Sequence, residues 1–129
     1  MELVGRGEKV AYNYLTEWFP PPRNEVKTQV PLYKMLSEKY RNDLSERQQK
    51  ESIDLVVLRK HEKPICVRIQ DRHHDTVKFG HIDKNQRMLL EWSRCIVIDI
   101  PEYECPELFK DNLTVNAREE LKKYIKPYL

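Results

Sequence analysis

Asp54 stands inside the run Ile53-Asp54-Leu55-Val56-Val57-Leu58, and a carboxylate among aliphatic neighbours is costly to bury unless it is paired, hydrogen-bonded or bound to a metal ion. The next apolar run, Pro64-Ile65-Cys66-Val67-Arg68-Ile69-Gln70, contains a second charged residue. If this run is a strand, its two-residue alternation puts Cys66, Arg68 and Gln70 on one face and Ile65, Val67 and Ile69 on the other. Glu8 precedes Ala11 by three residues and Leu15 by seven, so on a helix it shares the face that should pack inward. Each residue also has an ordinary reading. Asp54 can be satisfied by a neighbouring cation, Glu8 can simply favour the positive end of a helix dipole, and Arg68 can be the counter-ion of Asp54 or Glu8.

Beyond these runs lies Asp71-Arg72-His73-His74-Asp75, where imidazoles beside carboxylates offer transition-metal ligands or a general base near neutral pH. A solvated or phosphate-contacting loop accounts for the same residues. Arg72, His74, Lys78, His81, Lys84 and Arg87 form a local basic cluster that could meet a DNA backbone. It can equally be a charged helix face, with Asp83 and Arg87 paired four residues apart.

The elements that must position these groups follow from periodicity. Val10, Ala11, Tyr14, Leu15 and Trp18 recur at helical spacing from Glu8 to Phe19, and Pro20-Pro21-Pro22 stops the segment. Asn24 to Leu32 alternates as a half-exposed strand, with Pro31 ending its pairing. Tyr33 to Glu51 reads as a short helix followed by a loop. Ile53–Arg59 and Ile65–Gln70, separated by the polar turn His61-Glu62-Lys63, are nearly continuous in apolar character and so predict central strands. A helix is predicted over Ile82 to Trp92, a buried strand over Cys95 to Ile100, and a last helix over Ala117 to Ile125, opened by Asn116 as N-cap. Trp18 and Trp92 both sit at core spacing. The order implies an α/β fold, with a mixed β-sheet of about four strands flanked by helices, because a helical crossover returns the last strand parallel to its predecessor.

Composition sets the outer bounds. The chain has 129 residues, 40% hydrophobic and 34% charged, with a formal net charge of +2, which suits one domain, with a core over about 7–100 and a helical extension over 106–129. Such weak basicity neither announces nor excludes a nucleic-acid partner. No run approaches the ~18 apolar residues of a membrane span, and Met1-Glu2-Leu3-Val4-Gly5-Arg6 meets charge at once, so a soluble cytoplasmic protein is expected. Cys66, Cys95 and Cys105 are an odd number without CxxC spacing, suggesting neither a disulfide framework nor a zinc module.

In order and spacing the chain resembles the PD-(D/E)XK nuclease superfamily, in particular its short nuclease-like domains related to very-short-patch-repair and restriction-type endonucleases. The resemblance runs from about Gly7 to Ile100. Gly7-Glu8-Lys9-Val10-Ala11-Tyr12 looks like the first helix with its active-site glutamate, Gln29-Val30-Pro31-Leu32 like the first strand, and Ile53-Asp54-Leu55-Val56-Val57-Leu58 like the strand with the metal-binding aspartate. Arg68-Ile69-Gln70-Asp71-Arg72-His73-His74 falls where these relatives have an acidic residue, any residue, a second Asp or Lys, and a histidine shortly after. Asp83, Arg87 and Leu90, then Ile96 to Ile100, match the helix and final strand. The resemblance implies a restriction-endonuclease-like fold and a DNA-processing protein. It also implies Mg²⁺ or Mn²⁺ held by Glu8 and Asp54 for phosphodiester hydrolysis, with Asp71 as a supplementary ligand and Gln70 placing water.

Arg68 breaks the pattern. At about 4 Å and an effective dielectric of about 20, a divalent ion and a unit charge interact by roughly 8 kcal/mol, attractive for a carboxylate and repulsive for a guanidinium. Gln70 can orient water or phosphate but cannot act as a base. The other expectations are therefore a catalytically inactive nuclease-like module that binds DNA or forms a homodimer, with no cofactor, and a protein-interaction module.

Overall fold

The computed structural model describes residues 7–70, 77–110 and 112–129, with the side chains of 77–83 outside that description. Helix α1 (Glu8–Trp18) leads into strand β1 (Asn24–Pro31), the one-turn helices α2 (Leu32–Met35) and α3 (Glu38–Arg41), and a 3-10 turn at Gln48–Lys50. Strands β2 (Ser52–Arg59) and β3 (Ile65–Gln70), helix α4 (Val77–Trp92) and strand β4 (Ile96–Pro101) follow. Short 3-10 turns then precede helix α5 (Val115–Ile125). The sheet order is β1-β2-β3-β4. The first two pairings are antiparallel and β3–β4 is parallel, the mixed four-stranded sheet that the element order implied.

Each face of the sheet carries its own core. Leu55, Val57, Ile65, Val67, Ile69, Ile98 and Ile100 pack against Val10, Ala11 and Leu15 of α1 and Ala117, Leu121 and Ile125 of α5. On the other face, Val56, Cys66 and Val97 meet Leu32, Leu36, Leu44, Leu90 and Cys95. Burying one such leucine stabilises the fold by about 1.5–3 kcal/mol, so the two layers hold the sheet from both sides. Gly7 starts α1 at φ 87, where a side chain would be strained. A Cβ there would also lie 3.5 Å from the Leu108 carbonyl and 3.6 Å from the Ile69 side chain.

Two boundaries and one burial differ from expectation. Thr114, not Asn116, caps α5, its hydroxyl accepting from the Ala117 amide at 3.1 Å. Helix α4 includes Val77, where periodicity predicts a start at Ile82, because the sequence before Ile82 is interrupted by Gly80 and His81 and gives little helical signal. Trp92 is 54% exposed and leans on Tyr40, ring centroids 5.7 Å apart, so of the two tryptophans it is not a core residue. Trp18 packs partly buried against the first core.

Candidate functional site

Asp54 sits where the β2–β3 ladder ends. Register pairs run from Val57↔Ile65 through Val56↔Cys66 to Leu55↔Val67, and the next amide of that strand face, Ile69 N–H, donates instead to Asp54 Oδ2 at 2.8 Å. The carboxylate thus replaces a ladder acceptor at the point of divergence, which accounts for its presence in an aliphatic run. On the other flank, Gln29 adopts φ 47 within β1, between the pairs Thr28↔Leu55 and Val30↔Ile53. Val26 and Leu55 face the first core, whereas Val30 and Ile53 face the second, so the β1–β2 pair changes its facing at Gln29 and Asp54.

Glu8 reaches the same end of the sheet from the start of α1. It is buried, and Gln29 Nε2 donates to its Oε2 at 3.3 Å while Gln29 Oε1 accepts from the Ser52 hydroxyl at 3.0 Å. Glu8, Gln29 and Asp54 therefore line one end of the sheet. This corner holds the two carboxylates that periodicity and burial cost had singled out.

Arg68 belongs to a different cluster. Its expected partners were Asp54 or Glu8, but its guanidinium grips Asp99 with both prongs, Nε to Oδ1 at 2.5 Å and Nη2 to Oδ2 at 2.8 Å. The reason is register. Arg68 and Asp99 are direct neighbours in the parallel β3–β4 ladder, and both project onto the face covered by α4. Gln86 Oε1 accepts from Arg68 Nη1 at 3.4 Å, and Arg87 Nη1 donates to Asp99 Oδ2 at 2.7 Å. Arg87 also binds Glu91, at 2.8 Å, so the side chain expected to pair with Asp83 or to meet DNA is engaged by these two carboxylates. With side-chain exposures of 6% for Arg68 and 21% for Asp99, this is a largely buried, bidentate ion pair of the strong kind.

Gln70 lies half-buried at the end of β3. Lys84 is exposed on α4. Asp71, Arg72, His73 and His74 lie outside the described residues, as does the side chain of Lys78. Residues that periodicity did not single out for a site are Gln29, Gln86 and Asp99. Asp99 carries the signal that revealed Asp54, a carboxylate within Ile-Val-Ile-Asp-Ile. Gln29 owes its role to a backbone conformation that no local pattern announces.

Mg²⁺ and Mn²⁺ favour near-octahedral oxygen ligands. Among the described residues no group of three His, Cys, Asp or Glu side chains could hold a metal ion. Glu8 and Asp54 supply two carboxylates, while the position that would provide a third carries a guanidinium. Among the described residues, therefore, the carboxylates at this corner number two, and a divalent ion there would depend on water or phosphate oxygens for its remaining ligands.

All three cysteines are free and buried. Hydrogen bonding to Cys95 and then burial push the Cys66 thiol well up, and the same bond lowers that of Cys95. Burial, with Glu120 and Glu104 nearby, pushes the Cys105 thiol from about 9 up to about 12. A raised acid is more readily kept protonated in the folded chain, so this stabilisation is full below about pH 9 and is lost as pH rises towards 12. The melting temperature should fall through that window, and Cys105→Ala should make the fall shallower. An unchanged slope would assign the alkaline loss to other groups.

No described helix is long and apolar enough to cross a membrane. None of the protein-family models, curated proteins and solved structures compared with the chain matches it.

Proposed function

We propose that the chain is a nuclease-like DNA-binding protein that does not hydrolyse its ligand. The observation that carries this reading is the Arg68–Asp99 pair. The residue standing at the metal-ligand position of the PD-(D/E)XK pattern is a cation, fixed by two hydrogen bonds to the neighbouring strand. Freeing Arg68 to admit a metal ion would leave Asp99 without its bidentate partner and would still place positive charge beside the ion. The element order, with Glu8 and Asp54 at one sheet end, supports descent from the nuclease fold.

The test is incubation with supercoiled, linear, single-stranded and branched DNA in Mg²⁺ or Mn²⁺, beside a binding titration across salt concentration. Intact DNA, bound with an affinity that falls as salt rises, is the expected result. A hydrolytic reading, with Glu8 and Asp54 holding Mg²⁺ or Mn²⁺, Asp71 completing the set and Gln70 placing water, has the shared position of the two carboxylates in its favour. Metal-dependent cleavage that disappears in Asp54→Ala would replace the proposal with that reading.

A further inference from the structure

At the opposite end of the sheet from Glu8 and Asp54, a cleft of about 600 Å³ opens between the turn after α1 and the β2–β3 hairpin, lined by Pro22, Arg23, Lys60, His61 and Glu62. Backbone hydrogen bonding builds it. The Lys60 amide donates to the Arg23 carbonyl at 3.1 Å, extending the β1–β2 pairing by one step beyond Asn24↔Arg59 and holding the two walls together. The Arg59 guanidinium closes the hairpin by donating to the Lys63 carbonyl through Nε and Nη2, at 3.0 and 2.8 Å.

The charge in this cleft is unbalanced. Glu62 is its one carboxylate, and Arg59 lies 3.6 Å from it. Arg23 and Lys60, both exposed, have no ion-pair partner among the described residues, and the exposed His61 lines the same cleft. Cations held together without a counter-charge repel one another, and a bound anion would relieve this. A second hollow shares Arg23 and Glu62 with the first and continues past Arg59 to Trp18 and Tyr128, so a long anionic ligand could run from one into the other.

We infer that this cleft binds a phosphodiester of a nucleic-acid backbone, through Arg23, Lys60 and His61. The inference rests on the nucleic-acid reading above and places the contact away from α4, where Arg87 is neutralised. Six residue steps along β2 and its end separate Asp54 from Lys60, about 20 Å, so the contact is distinct from the Glu8–Asp54 corner.

The test is fluorescence-anisotropy titration of a labelled single-stranded oligonucleotide against the full chain, the double variant Arg23→Glu/Lys60→Glu and the charge-matched control Lys34→Glu/Lys126→Glu. The cleft variant should weaken binding by about tenfold more than the control and lower the log–log salt slope by about 1.4. Backbone-amide NMR shifts at 22–24 and 59–63 should accompany oligonucleotide binding. Equal losses in variant and control would remove the cleft while leaving the nucleic-acid reading in place, whereas no binding of any DNA by the unaltered chain would remove both. Saturable shifts of those amides by AMP or inorganic phosphate, with no tighter binding of the oligonucleotide, would overturn the backbone assignment in favour of a small phosphate ligand.

Discussion

Asp99→Ala is expected to destabilise the protein by about 3–5 kcal/mol, because it strands the buried Arg68 cation without its bidentate partner. Arg68→Met should cost roughly half as much, about 2 kcal/mol: the replacement is apolar and of similar reach, and the partly exposed Asp99 keeps its bond to Arg87. The double variant Arg68→Met/Asp99→Leu should be more stable than Asp99→Ala alone, since no uncompensated charge then remains on the α4 face. Urea unfolding of the three variants gives the comparison. Additive losses in the double variant would mean that the two groups do not act as a pair, and would remove the observation on which the non-hydrolytic reading stands.

Asp54 provides the second large effect. Asp54→Ala leaves the Ile69 amide without the acceptor at 2.8 Å, and an unsatisfied buried donor costs about 1–3 kcal/mol. Asp54→Asn keeps an oxygen in the same place and should retain most of that stability. Ile69 amide exchange should accelerate in the alanine variant and stay close to the original rate in the asparagine variant. A carboxylate present for its charge, as a metal ligand would be, predicts that both substitutions behave alike. Equal exchange rates in the two variants would therefore reopen that role.

The architecture was largely legible because its determinants are local. The aliphatic runs Ile53–Leu58 and Ile65–Ile69 specify buried strands by composition, and the triple proline at Pro20 ends α1 by chemistry that no tertiary context overrides. The two carboxylates Asp54 and Glu8 were legible for the complementary reason, each standing where burial would be costly. Arg68 was legible as a break but not as a pair. Its partner is fixed by the parallel register of β3 and β4, which depends on how the α4 crossover returns the chain, and no spacing within either strand encodes that alignment. Gln29 was hidden for a related reason. Its role depends on a positive φ within a strand, a conformation uncommon outside glycine and one that local sequence does not announce. The Val77–His81 part of α4 is hidden in the sequence because those residues lack an apolar stripe.

If the proposed non-hydrolytic reading holds, the corner of Glu8 and Asp54 does not take up a divalent ion. A Mn²⁺ titration of the full chain, followed through the electron paramagnetic resonance signal of the free ion, reads this directly. The prediction is no stoichiometric uptake up to about 1 mM, a concentration at which weak carboxylate sites fill, and the same trace for Asp54→Ala. Uptake of one ion per chain well below that concentration, abolished in Asp54→Ala, would contradict it.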